Sequence, residues 1–155
     1  MNPGRRSAAA ALVAEAVRAR GVARFRALGI SMRPLVRAGD VLEVRPAVAG
    51  SLRIGDVAVF ARAGGLFAHR VIGRVTRGGQ PLLITKGDAF PEPDAPVTPR
   101  ELLGRVALIL RGTRRISLDA PRGRVLGRLA AGVSAAAPWW YPGARACKRL
   151  LWRLG

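Results

Sequence analysis

The chain is poor in the residues that build metal centres and disulfide frameworks: Cys147 is its one cysteine and His69 its one histidine. A single thiol excludes an internal disulfide and a cysteine-based zinc site, and one imidazole cannot assemble the usual ligand cluster. No metal and no cofactor are therefore expected. Lysine is scarce too, with only Lys86 and Lys148 beside a large arginine excess, a skew that a GC-rich coding sequence would produce. Long apolar runs are missing as well. The stretch SAAAALVAEAVRAR (7–20) contains Glu15 and is too short for a membrane span, which needs about 20 apolar residues. It also lacks a small-residue cleavage pattern after a long apolar core, so a secretory signal is not expected there.

What the chain has in abundance is positive charge. The net charge is +18, and 155 residues with 50% hydrophobic content, 19 Gly and 11 Pro describe a folded, turn-rich protein of one domain. The charge is uneven. Residues 1–39 carry eight Arg and one Glu; residues 40–101 carry eight Lys/Arg against seven Asp/Glu; residues 102–155 carry eleven Lys/Arg and one Asp. The middle is nearly neutral and both ends are basic, a pattern that speaks to surface association rather than to fold.

Residues 7–20 read as a helix with Ser7 as N-cap, arginines at the C-terminal end and Gly21 as its stop. From Val22 onward the texture becomes short β-like runs: 22–28, 41–45, 57–61, 66–75, 82–85 and 105–111. Turn signals separate them, among them Gly39-Asp40, Gly55-Asp56, Gly64-Gly65, Gly78-Gly79 and Gly87-Asp88. This predicts a mainly β domain over 22–121, preceded by a helical segment, 1–21. The stretch 89–99, AFPEPDAPVTP, is expected to be an irregular loop. A basic tail, 122–155, is expected to be helical and to end its first helix before Pro138. Trp139, Trp140 and Trp152 beside Arg and Lys favour contact with an anionic membrane surface over packing on the β core; nucleic acid is the least favoured partner.

Two side chains could carry chemistry together. Ser31 sits in Gly29-Ile30-Ser31-Met32-Arg33-Pro34, a turn with glycine before it and proline behind it. A serine hydroxyl is a poor nucleophile until a base takes its proton, and His69 is the one neutral imidazole available. The imidazolium formed in that step needs a carboxylate, for which Asp88 and Asp94 are candidates. Taken singly, a serine after glycine is a turn residue and a histidine in a strand is a half-buried bystander.

In combination the residues resemble a family. Ser31-Met32-x-Pro34, Gly39-Asp40, Gly55-Asp56-Val57-Ala58-Val59-Phe60, His69-Arg70-Val71-Ile72 and Thr85-Lys86-Gly87-Asp88 stand in the order seen in type I signal peptidases, which share their catalytic β-fold with the self-cleaving LexA-like repressors. The resemblance covers about residues 22–110. Many members have lysine where this chain has His69; histidine stands there in the eukaryotic endoplasmic-reticulum, archaeal and some Gram-positive signal peptidases, described as Ser–His–Asp enzymes. The resemblance implies Ser31 as nucleophile, His69 as general base and Asp94 as the acid that orients it. Asp88 is then a supporting residue or the alternative acid. Gly29 stands where signal peptidases commonly have a serine whose hydroxyl helps form the oxyanion hole, so the oxyanion would rely on backbone N–H groups, that of Ser31 among them. The N-terminal transmembrane anchor of that family is also not seen in the sequence.

The expected function is thus a serine endopeptidase acting on a precursor protein or leader peptide at the membrane face, with the side of the membrane unassigned. The alternatives are a LexA-like self-cleaving or DNA-associated regulator, and a peptide-binding relative without catalysis. The basic N-terminus and Gly29 lean toward the regulator. The short N-terminal segment, too small for a helix-turn-helix domain, and His69 in place of lysine lean against it.

Overall fold

The computed structural model describes residues 3–140. Helix α1 (Pro3–Arg20) leads into β1 (Ala23–Arg26), β2 (Val41–Arg45), β3 (Val57–Arg62), β4 (Gly65–Arg77), β5 (Gln80–Lys86), β6 (Leu102–Arg111) and β7 (Arg114–Ser117), and α2 (Pro121–Trp140) follows. The strands form one seven-stranded sheet in the order β1-β2-β6-β3-β4-β5, with β7 paired to β6. Every strand pairing is antiparallel. The expected mainly β architecture with a helix at each end is therefore present.

Alternation along the strands builds two cores. On β3, Val57 and Val59 join Val13 and Val17 of α1, Leu42, Val44, Val106 and Ile109. The intervening Ala58 and Phe60 join Leu52, Val71, Leu83 and Val97. A strand whose successive side chains point to opposite faces must be apolar throughout when both faces are covered, which is why Val57-Ala58-Val59-Phe60 is an unbroken run. Among the described residues of α1, Ala10, Val13 and Val17 are buried, spaced as one helical face.

Several boundaries depart from the sequence reading. Helix α1 begins at Pro3 rather than after Ser7, so Ser7 lies within the helix; proline is favoured in a first helical turn, where no N–H partner is needed. Gly21 ends it at φ +66°, as the αL stop requires. Strand β7 was not expected. The stretch 89–99 is irregular except for a bridge between Val97 and Leu83. Helix α2 runs on through Pro138 to Trp140 instead of ending before the proline. Among its described residues, Gly127 and Ala131 are buried and face the body of the protein. A Cβ on Gly127 would stand 2.7 Å from Gly55 O, so the helix approaches the Gly55-Asp56 turn backbone to backbone. No helix among the described residues is long and apolar enough to cross a membrane. Trp139 and Trp140 close α2; the membrane contacts expected of their side chains, and of Trp152, lie outside the described residues.

Candidate active site

Ser31 stands in the connection between β1 and β2. Met32 and Val36, 4% and 3% exposed, sink into the core on either side of the tight turn. The turn is closed by Arg33 N–H donating to Ile30 O at 3.1 Å and Val36 N–H to Met32 O at 2.9 Å. A second segment clamps it: the Ala89 N–H donates to Ser31 O at 2.8 Å. This approach requires glycine at 87, since a Cβ there would lie 2.9 Å from Ser31 O and 3.2 Å from Ser31 Cβ. The Gly-Asp pair after β5 thus shapes the serine turn from outside.

The structure brings Ser31, His69 and Asp94 into one relay. His69 Nε2 lies 3.1 Å from Ser31 Oγ, and Nδ1 lies 2.7 Å from Asp94 Oδ2. With the carboxylate on Nδ1, that nitrogen carries the proton and Nε2 is left to accept from the serine hydroxyl. Asp94 is fixed twice: its N–H donates to Thr85 O at 2.8 Å, and Thr85 Oγ1 donates to the same Oδ2 at 2.8 Å. Burial works against the carboxylate charge, but the hydrogen bonds from His69 and Thr85, with the His69 and Arg62 charges, outweigh it and hold Asp94 below its ordinary range.

Asp88 does not reach the imidazole. Arg70 Nε and Nη2 take its two oxygens at 2.7 and 2.6 Å, and Arg70 Nη1 donates to Gly55 O at 2.8 Å. The reason is the period of a strand. His69 and Arg70 are neighbours on β4 and point to opposite faces, so one meets Ser31 and Asp94 while the other ties the Gly55-Asp56 turn to Gly87-Asp88. Asp40 of the remaining Gly-Asp pair is held by Arg111, at 2.9 and 2.7 Å.

Contributors that sequence reasoning left without a role surround this centre. Arg62 grips the proline-rich segment, donating to Ala95 O and Pro96 O at 2.9 Å each and pairing bidentately with Glu101 at 2.6 and 2.9 Å. The Phe60 and Phe67 rings stack with centroids 5.5 Å apart, and each meets the His69 ring edge-on, at 5.9 and 6.0 Å. Gly65 makes room for this, because a Cβ there would fall 2.8 Å from the Phe67 ring. Thr85 had a signal, two positions before the glycine that touches Ser31; Arg62 had none.

Ser31 and His69 open on a cleft of about 560 Å³ whose walls include Leu28, Gly29, Met32, Phe67 and Phe90. Leu28, Ile30, Phe67 and Phe90 are all exposed apolar residues. Gly29 has nothing within 4 Å of where its Cβ would stand except Ser31 N, at 4.0 Å. The space beside the serine amide is therefore open, and no side-chain donor occupies it. Comparison of the chain with protein-family models, with curated proteins and with solved structures finds no match.

Proposed function

We propose that the chain is a serine endopeptidase of the signal-peptidase type, cleaving a leader or signal segment from a precursor protein. The observation that carries this reading is the continuous Ser31–His69–Asp94 relay, whose Ser31 and His69 line an open apolar cleft. Of the ordered motifs that resemble signal peptidases, those holding Ser31, His69 and Thr85 meet at that relay, and Arg70 ties Gly55 and Asp88 together on the other face of the strand; this supports a catalytic sheet of the signal-peptidase and LexA-like kind.

In this mechanism His69 Nε2 takes the Ser31 proton as Oγ attacks the scissile carbonyl, and Asp94 stabilises the imidazolium. The carbonyl oxygen, now an anion, faces the Ser31 N–H. His69 then returns the proton to the leaving amine, which breaks the C–N bond and leaves an acyl-serine. Water, deprotonated by the same imidazole, hydrolyses the ester and restores the hydroxyl. An extended substrate segment fits the cleft alongside the strand that carries His69. The reading places the enzyme at an anionic membrane surface. Exposed Val125 and Leu129 on α2, on the same helix as Arg122, Arg124 and Arg128, suit such a contact. The test is processing of a leader-bearing precursor by purified protein. Wild type should cleave it once, and Ser31→Ala and His69→Ala, folded by circular dichroism, should lose cleavage; processing retained in both variants would overturn the mechanism.

A further inference from the structure

A second depression, of about 850 Å³, lies between α2 and the sheet. Its walls are largely aliphatic and include Leu35, Val106, Ile116, Leu118, Leu126 and Val133. Leu126 and Val133 are 65% and 75% exposed. The helix meets the body through small residues, Gly127 packing on Gly55, and this leaves larger side chains facing an open groove. Its size is that of a small-molecule site, about 300–1,000 Å³ with few polar groups.

The charges at the wall decide what fits. They belong to Asp56, Arg70, Lys86, Asp88 and Arg124. Arg70 and Asp88 cancel each other in a bidentate pair. Asp56 accepts the Arg53 N–H at 2.7 Å within its own turn. Lys86 is 1% exposed, and its Nζ donates to a single acceptor, Phe90 O, at 2.5 Å. An ammonium has three donors, so a buried cation with no carboxylate bonded to it among the described residues stands at the edge of an apolar groove, an arrangement that costs free energy until an anion arrives. Burial draws the Lys86 ammonium below its usual range, opposed by the Asp88 charge; a bound anion would offset the same loss of solvent.

We propose that this groove binds a single-chain anionic amphiphile, an alkyl carboxylate of the fatty-acid type, with its headgroup on Lys86 and its chain along Leu126 and Val133. A neutral alkyl chain would leave Lys86 unmatched. The chain's own residues beyond 140 bring Arg145, Lys148, Arg149 and Arg153 and no acid, so they would add like charge. Phe90 lines both this groove and the cleft that holds Ser31 and His69, so an occupant touches the segment that carries Asp94. The inference goes beyond the peptidase reading and does not depend on it.

Isothermal titration of the full chain with dodecanoate below its micellar concentration tests the proposal, with dodecyltrimethylammonium as the matched cation. Saturable one-to-one binding of dodecanoate, at least tenfold tighter than the cation, is expected. Lys86→Met should weaken it about tenfold or more. Leu126→Asp, at an exposed position that folding tolerates, should weaken it similarly and keeps the test intact if Lys86→Met fails to fold. Equal affinity for the two amphiphiles, an unchanged affinity in Leu126→Asp, or binding to anionic phosphatidylglycerol vesicles without binding of dodecanoate would overturn it.

Discussion

Replacing Asp94 by asparagine separates the charge of the relay from its shape. The amide oxygen can take the place of Oδ2 and still accept from His69 Nδ1 and Thr85 Oγ1, now at 2.7 and 2.8 Å. What is lost is the negative charge beside the imidazolium that forms in the transition state. For unit charges about 4 Å apart at an effective dielectric of about 20, that interaction is about 4 kcal/mol. At about 1.4 kcal/mol per tenfold, the rate should fall about 10³-fold, near the loss of about 10⁴ known for the equivalent change in another serine protease. Thr85→Val removes one hydrogen bond and leaves the charge, so about 1 kcal/mol, or five- to tenfold, is expected. Single-turnover processing of a precursor with enzyme in excess reads both numbers free of product release. A loss below tenfold in Asp94→Asn, or a larger loss in Thr85→Val than in Asp94→Asn, would refute the assignment of Asp94 as the acid of the relay.

The other perturbations follow from single contacts. Asp88→Asn breaks a buried pair whose side chains are 9% and 2% exposed; it should cost about 3–5 kcal/mol and lower the thermal midpoint by about 10 °C, while the folded fraction cleaves at nearly the wild-type rate. A rate loss as large as that of Asp94→Asn would show that the two acids share the work. Gly29→Ser places a hydroxyl beside the open space at Ser31 N and should raise the rate, by up to the ~10² that one oxyanion donor can supply; a fall in rate with the fold intact would contradict the placement of the oxyanion there. The Arg62 hydrogen bonds, opposed by burial and joined by the Thr98 donors, pull Glu101 from 4.5 to about 2. Its contribution is therefore complete above pH about 4.5 and is lost as pH falls toward about 2, amounting to about 1–2 kcal/mol once screening of a partly exposed pair is allowed for. Glu101→Gln should flatten that acid limb in thermal melts, and superimposable acid limbs would contradict the sign. In Gly55→Ala the new Cβ would meet Arg128 N and Gly127 C at 2.7 Å on a backbone with φ +100°; α2 should be displaced and cut faster by trypsin at Arg124 and Arg128, whereas wild-type digestion kinetics would argue against the close packing.

The parts of the fold that were legible are those fixed by local chemistry. Val41–Arg45 is bounded by a positive-φ glycine, Gly39, before it and by Pro46 after it, and the strand falls on those residues. The β3 run was clear because both of its faces are buried. Strand β7 was not legible, since Arg114-Arg115-Ile116-Ser117 offers one apolar side chain; pairing with β6 across the turn at Gly112 makes it a strand. The relay was partly legible. The order of the motifs pointed to Ser31 and His69, but the choice between Asp94 and Asp88 depends on which face of β4 each acid meets, and that is set by Arg70. Long-range pairs such as Arg111 with Asp40, 71 residues apart, leave no local trace. Nor does the burial of Lys86, a residue type that is rarely buried without a partner.

In the proposed mechanism Ser31 Oγ is a nucleophile driven by His69. Its most direct test is rapid acid quench followed by peptide mapping, after mixing the protein with an activated ester of a short peptide that ends in alanine. An acyl mass is expected on the peptide containing Ser31, absent in Ser31→Ala and formed far more slowly in His69→Ala and Asp94→Asn. Ester hydrolysis that persists in Ser31→Ala, or an acyl group on any other residue, would contradict it.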